Sequence, residues 1–134
     1  MVERDSSAGR HHKRDARKQT GMYGEAAALD YLTNEGYTIR ERNWRCRSGE
    51  IDIIAEHEGR IIFVEVRSKT LGGRYGTAAE SVDRRKQQKV RDTAQVYLRS
   101  GSRSDASIRF DVIAITISRM DETIVECKHY KGAF

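Results

Sequence analysis

The length, composition and charge of the chain exclude several classes of protein. Its 134 residues suit one domain with one core, and no stretch approaches the roughly 18 apolar residues of a membrane helix. The two cysteines stand far apart, which argues against a structural zinc motif or a disulfide framework. The N-terminus is polar and basic, without the apolar segment of a secretion signal. We therefore expect a soluble, cytoplasmic protein that does not associate with membranes.

The formal charge of +5 is distributed unevenly along the chain. Residues 1–20 hold six Lys/Arg and three Asp/Glu, which leaves +2 for the remainder. Residues 1–19 lack apolar periodicity and cannot offset the entropy of ordering, so we expect a flexible basic tail before one domain at residues 20–134. Two basic runs, residues 40–47 and 84–91, have the charge that phosphate contact requires, although most such runs are simply solvated faces.

A first helix is predicted from about residue 21 to residue 35. Met22, Leu29 and Leu32 mark its apolar stripe. Glu25 falls on the same stripe, where the pattern calls for an apolar side chain. Either this carboxylate has a partner in the folded protein, or the start of the helix is exposed and Glu25 meets the positive end of the helix dipole.

The next three elements are predicted to be strands. Residues 37–44 form the first, whose lapse in alternation before Trp44 suggests a bulge or an edge position. Residues 50–56 and 60–69 are rich in Ile and Val and flank a turn at residues 57–59, which is typical of a β-hairpin.

A second helix follows a glycine-rich loop. Thr77 and Glu80 have the spacing of a capping box, and the helix is predicted to run from there to about Arg99. Lys86 lies four residues before Val90 on its apolar face, so this helix presents a charge toward the core. Strands at residues 108–117 and 123–128 complete the order α-β-β-β-α-β-β. This order predicts an α/β (α+β) fold, with a mixed central sheet flanked by helices.

The predicted hairpin brings two acidic residues together. If Glu58 and Gly59 form a two-residue turn, Asp52 lies directly opposite Glu65, with their Cβ atoms about 4.5–5.5 Å apart. A four-residue loop gives the same register, whereas a three-residue loop would break it. Two opposed carboxylates destabilise a half-buried hairpin unless something neutralises them.

Two explanations of the carboxylate pair remain open. The first is a divalent-cation site, for which hard oxygen ligands favour Mg²⁺ or Mn²⁺ over zinc. The second is an ordinary cluster of ion pairs, in which Asp52 pairs diagonally with Arg67 or Glu65 pairs with a lysine of the second helix. Asp111 has a similar ambiguity, because it either joins the site or pairs with cations near Arg109.

The pattern of Asp52, twelve intervening residues and then Glu65-Val66-Arg67 resembles the Asp…(Asp/Glu)-x-Lys motif of restriction-endonuclease-like nucleases. A wider set of segments is similar to the YraN-type family of bacterial proteins, over roughly residues 21–134. These segments are Gly24-Glu25 with Tyr31-Leu32, Asn43-x-Arg45, residues 49–55 (GEIDIIA), residues 63–67 (FVEVR), Lys86 with Ala94 and Tyr97-Leu98, and residues 109–112 (RFDV).

The resemblance implies a restriction-endonuclease-like core similar to Holliday-junction resolvases, and it implies roles for particular residues. Asp52, Glu65, the carbonyl of Val66 and Glu25 would hold the metal. Arg67 occupies the place of the motif's lysine, and an arginine cannot act as a base, so Lys69 is the expected substitute. Phosphate contacts are expected from Lys86, Arg45, Arg47, Arg85 and Lys89.

These observations predict a Mg²⁺- or Mn²⁺-dependent endonuclease that acts on structured or branched nucleic acid, with DNA as the expected substrate. Two alternatives remain. One is a nucleic-acid-binding module with a degenerate site, and the other is a protein-interaction scaffold. Because resolvase-like enzymes act on symmetric junctions, the resemblance is also compatible with a homodimer.

Overall fold

The computed structural model describes residues 8–71, 82–118 and 120–134, with side chains from residue 19 onward. The elements are α1 (Ala8–Asn34), β1 (Thr38–Cys46), β2 (Gly49–His57), β3 (Arg60–Thr70), α2 (Arg84–Ser100), β4 (Ile108–Ile117) and β5 (Ile124–Tyr130). Neither helix in these ranges is long and apolar enough to cross a membrane. The element order is the predicted α-β-β-β-α-β-β, which confirms the α+β class.

The five strands form one mixed sheet in the order β1-β2-β3-β4-β5. Strands β3 and β4 pair in parallel, whereas the other neighbours are antiparallel. The parallel pair requires a crossover, and α2 lies within it. The predicted bulge or edge position of the first strand is confirmed, because β1 lies at one edge of the sheet and has a register shift between Ile39 and Glu41, while β5 forms the other edge.

A hydrophobic cluster lies on each face of the sheet. The cluster beneath α1 contains Ala28 and Leu32 together with Ile53, Val64 and Ile113. The cluster beneath α2 contains Ile54, Ile61, Phe63, Val90, Ala94 and Leu98. Because alternate residues of a strand face opposite ways, one apolar hairpin supplies side chains to both clusters.

Helix α1 begins well before the predicted start. Its backbone is helical from Ala8, so the predicted start at about residue 21 was wrong. These residues are mostly good helix formers, and helical hydrogen bonds need only local partners. Residues 1–7 lie outside the described residues, and flexibility of the tail remains a prediction.

The buried face of α1 also differs from the predicted one. Met22 is 61% exposed, whereas Ala28 and Leu32 are fully buried. Gly24 lies so close to Ser68 of β3 that any side chain at position 24 would collide with it. The helix therefore approaches the sheet through a small residue near Met22, which leaves the methionine in solvent.

Helix α2 begins later than predicted. Its N-cap is Asp83, whose side chain accepts a 2.8 Å hydrogen bond from the backbone N–H of Lys86. The predicted cap residues Thr77 and Glu80 lie outside the described residues, and the helix starts at Arg84. Asp and Thr are both favoured as N-cap residues, so the local sequence does not distinguish a helix start at Asp83 from one at Thr77.

Candidate metal centre

The turn between β2 and β3 fixes the register of the hairpin. Glu58 and Gly59 both have positive φ angles, 51° and 80°, as a two-residue type I′ turn requires. His57 consequently pairs with Arg60, and the register continues to Ile53 opposite Val64. The predicted register is confirmed over these five pairs, which end one position before Asp52 and Glu65.

The regular backbone pairing of β2 with β3 ends before Asp52, where backbone N–H groups donate to side chains instead. The N–H of Val66 donates to Asp52 Oδ2 at 2.8 Å, and the N–H of Asp52 donates to Glu65 Oε2 at 3.3 Å. Residues 51 and 53 also pack in different clusters, although residues two apart in a regular strand share a face. The hairpin is thus irregular at the point where its two carboxylates meet.

Burial and mutual repulsion perturb this carboxylate pair. Glu65 is only 2% exposed, and burial together with the charge of Asp52 raises its pKa to about 7. Burial also raises the pKa of Asp52, against the hydrogen bond from Val66 and the positive charge of Lys86. Both groups are therefore less acidic than ordinary carboxyls, and a nearby cation would favour their ionised forms.

Lys86 is a cation in direct contact with Glu65 of the pair. Its Nζ lies 3.5 Å from Glu65 Oε1, and its side chain remains 47% exposed. The lysine reaches Glu65 from the first turn of α2, on the stripe that continues through Val90 and Ala94. The predicted placement of Lys86 on the core side of α2 is confirmed. The contact is also the helix-lysine ion pair anticipated as the alternative to a metal site.

Glu25 approaches the pair from α1. Burial raises the pKa of Glu25, and the negative charges of Asp52 and Glu50 raise it further. Its Oε1 lies 2.8 Å from the side-chain nitrogen of Asn43, which also lies 3.3 Å from Glu50 Oε1 when the amide is oriented to satisfy both groups. Glu25 thus has polar partners in the fold, which favours the first of its two interpretations.

Sequence reasoning gave Asn43 no role at this site. Its φ of 50° lies in the left-handed region, which Asn tolerates better than most residues. The predicted irregularity before Trp44 pointed to this stretch, but no local pattern indicates that the Asn43 amide meets a glutamate of α1.

The remaining predicted site residues lie on β3, on α2 and near the end of β1. Arg67 lies near enough to Asp52 for its charge to lower the pKa of that carboxyl. Lys69 is half-buried on β3 and pairs in register with Thr116 of β4. Arg45 is exposed, and its Nε lies 2.7 Å from Glu50 Oε2. Arg47, Arg85 and Lys89 are also exposed.

Asp111 belongs to a separate network beneath α1. Arg109 binds it through Nε and a terminal nitrogen, each at 2.8 Å, and His129 Nε2 lies 2.7 Å from its Oδ2. Burial acts to raise the pKa of Asp111, but the hydrogen bonds from Arg109, His129 and the Gly132 N–H lower it to about 2. Of its two predicted roles, the ion pair is the one observed.

The donor chemistry at the hairpin fits a hard divalent cation. Asp52 and Glu65 provide two opposed carboxylates, and Mg²⁺ commonly takes only one or two carboxylates and keeps several waters. Among the described residues, no group of three or more His, Cys, Asp and Glu side chains is arranged to hold a metal ion. Any cation here would thus rely on this pair, with water and backbone oxygen completing its shell.

Comparisons with known proteins place the chain in a family. The model of "Uncharacterised protein family UPF0102" matches residues 24–115, which include Asp52, Glu65 and Lys86. A UPF0102 protein of Moorella thermoacetica is 44% identical over 118 residues, covering 88% of this chain and 97% of the relative. One of Persephonella marina is 52% identical over 114 residues, covering 85% and 91%. The resemblance to an uncharacterised bacterial family is confirmed, and the chain belongs to UPF0102.

Proposed function

We propose that this protein is a Mg²⁺- or Mn²⁺-dependent nuclease acting on structured or branched nucleic acid. The observation that carries the proposal is the buried pair of Asp52 and Glu65, which meet where the hairpin ladder is interrupted. A purely structural hairpin would place apolar side chains there. Two adjacent acids with raised pKa values are instead typical of a functional site.

Each carboxylate uses one oxygen to bind a backbone N–H, which fixes its orientation. The second oxygens, Asp52 Oδ1 and Glu65 Oε1, are the expected ligands of a cation. In an extended strand the N–H and C=O of one residue point to the same side. Because the N–H of Val66 is directed at Asp52, its carbonyl is expected to face the same side and to offer a third oxygen.

A divalent cation bound there would supply an activated water and would stabilise negative charge on a phosphate. Hydrolysis then adds water across one P–O bond, leaving a phosphomonoester end and a hydroxyl end. Asp52 and Glu65 would hold the cation, and their burial would keep the bound geometry fixed. Glu25 would adjoin them from α1.

Lys86 is better placed than Lys69 to replace the lysine of the nuclease motif. Lys69 lies four residues beyond Glu65, or about 13 Å along the strand. Lys86 Nζ is 3.5 Å from Glu65 Oε1. Arg67 offers a guanidinium group, which can bind phosphate but does not act as a base. We therefore assign the motif's lysine role to Lys86 and phosphate binding to Arg67.

The start of α2 is suited to a polyanion. Its first turn contains Arg84, Arg85 and Lys86, whose three positive charges outnumber the single negative charge of the N-cap Asp83 and add to the positive end of the helix dipole. This arrangement is unfavourable for an isolated helix and favourable beside phosphates. Exposed Lys89 extends the positive surface by one turn. The expectation of a branched substrate comes from the resemblance to resolvases.

The test is cleavage of four-way-junction, single-stranded and duplex DNA with Mg²⁺ or Mn²⁺. Asp52→Asn and Glu65→Gln keep side-chain volume and remove charge, so each is expected to reduce cleavage by at least about 100-fold. Lys86→Met is expected to reduce it by about 10- to 100-fold without abolishing Mn²⁺ binding.

Matched controls lie on β5. Glu126 and Lys128 form an exposed ion pair at 3.8 Å, so Glu126→Gln and Lys128→Met repeat the same chemical changes away from the hairpin. Both controls should cleave as the wild type does. Metal-dependent cleavage that persists in Asp52→Asn and Glu65→Gln would overturn the proposal.

Arg67 favours a second candidate, a nucleic-acid-binding module whose site no longer catalyses hydrolysis. An arginine retains phosphate binding where the nuclease motif has a lysine. Salt-dependent retention of DNA, weakened by Arg85→Ala and unaccompanied by cleavage with either metal, would support this candidate over the first.

A further inference from the structure

Asn43 occupies a special position beside the carboxylate pair. Arg42 pairs with Ile53 and Trp44 pairs with Ile51, so Asn43 adjoins Asp52 across β1 and β2. Its backbone φ of 50° departs from the strand conformation at this one residue. Three neighbouring strands therefore contribute polar residues at the same level of the sheet, namely Asn43, Asp52 and Glu65.

The Asn43 amide joins two glutamates that would otherwise repel one another. With the amide oriented to satisfy both carboxylates, its nitrogen lies 2.8 Å from Glu25 Oε1 and 3.3 Å from Glu50 Oε1, and an amide nitrogen carries two N–H donors. Glu50 is held from its other side, because Arg45 Nε lies 2.7 Å from Glu50 Oε2. The amide thus links Glu25 of α1 to Glu50 of β2, which itself pairs with Arg45.

Glu25 needs such a restraint more than the hairpin acids do. Asp52 and Glu65 are oriented by backbone N–H groups of neighbouring strands. Glu25 comes from a helix, has a flexible side chain, and faces the negative charges of Asp52 and Glu50. Without a donor at this point, charge repulsion and side-chain entropy both favour turning its carboxylate toward solvent.

We propose that Asn43 is a positioning residue, which holds the Glu25 carboxylate toward the site so that the negative charge of Glu25 strengthens the binding of a divalent cation by Asp52 and Glu65. This inference rests on the proposed function. The left-handed backbone directs the short amide toward α1, and Asn is one of the few side chains that combine this conformation with two donors. Asn43 itself needs no contact with the cation or with substrate.

The test is calorimetric titration of the full-length protein with Mn²⁺. Asn43→Gly retains the left-handed backbone and removes the amide, so Mn²⁺ affinity should fall about three- to tenfold, the effect of one hydrogen bond. Ser102→Gly is the matched control, because Ser102 has a similar φ of 56° in a turn after α2. This control should leave Mn²⁺ affinity unchanged.

A double-mutant cycle separates positioning from an independent effect. In the Glu25→Ala background Asn43 has no carboxylate to hold, so Asn43→Gly should then change Mn²⁺ affinity less than twofold. Equal losses in both backgrounds, or an unchanged affinity in Asn43→Gly alone, would overturn the inference. Failure of the proposed function is distinct, since the wild type would then show no Mn²⁺ binding that depends on Asp52 and Glu65.

Discussion

Two buried acids on neighbouring strands have opposite environments. Glu65 of β3 faces α2, whereas Asp111 of β4 faces α1, and their register positions differ by only one residue. Asp111 accepts hydrogen bonds from Arg109, His129 and a backbone N–H, which lower its pKa to about 2. Glu65 has a backbone N–H at 3.3 Å and Lys86 at 3.5 Å, and its pKa is raised to about 7.

The difference separates a carboxylate that stabilises the fold from one suited to bind a ligand. Asp111 is ionised and fully hydrogen-bonded within the protein, so an added cation would gain little there. The negative charge of Asp52 repels the Glu65 carboxylate, and an added cation would reduce this repulsion. Burial alone therefore does not identify a functional acid.

The largest expected effect is on Asp111. Asp111→Ala should lower the free energy of unfolding by about 3–5 kcal/mol, because it leaves the Arg109 guanidinium and the His129 ring without their shared acceptor. Urea unfolding monitored by circular dichroism measures the change. Glu65→Gln should leave stability near the wild-type value or raise it. Similar losses in both variants would erase the distinction between the two acids.

A change of pH is expected to have an intermediate effect on the stability of the folded protein. The folded pKa of Glu65 lies at about 7, above its ordinary value of 4.5, so between these values the folded state binds more protons than the unfolded state. Stability of the metal-free protein should consequently fall as pH rises through this window. For Asp111 the sign is reversed, because a lowered pKa provides stability that is lost as pH falls from about 4 toward 2.

Urea midpoints measured in a chelator from about pH 4 to pH 8 test the pH dependence. Glu65→Gln should flatten the decline above about pH 5, whereas the exposed control Glu126→Gln should retain it. A wild-type midpoint that rises over the same interval would contradict the assignment of a raised pKa to Glu65.

The smallest expected effect concerns Tyr31, whose hydroxyl lies 3.0 Å from His129 Nδ1. With the Nε2 proton of His129 directed at Asp111, Nδ1 is the acceptor for this hydroxyl. Tyr31→Phe should therefore cost about 1 kcal/mol in urea unfolding. Tyr23→Phe, an exposed position on the same helix, is the control and should be neutral. Equal effects of the two substitutions would show that the Asp111 network ends at His129.

The sequence predicted the hairpin well because its register depends on local chemistry. Glu58-Gly59 selects the turn type, and the turn then fixes every pairing up to Ile53 and Val64. The opposition of Asp52 and Glu65 follows from this register. The position of Lys86 was predictable for a similar reason, because helical spacing from Val90 is local.

Predictions failed where the sequence offered equivalent local choices. Thr77 and Asp83 are both acceptable N-caps, and the structure uses Asp83. Met22 has the spacing of a buried residue, but the close approach at Gly24 leaves it exposed. Neither outcome follows from propensity, because both depend on how a helix meets the sheet.

The sequence by itself determined the order of elements, the hairpin register and the meeting of Asp52 with Glu65, since each depends on residues close together in the chain. Only the tertiary structure decided which charged groups face that pair. The crossover helix α2 brings Lys86 to Glu65, and α1 brings Glu25 to Asn43. The packing of both helices on opposite faces of the sheet also assigned Asp111 to a separate network. These contacts join distant parts of the chain, and their geometry is set by packing in three dimensions.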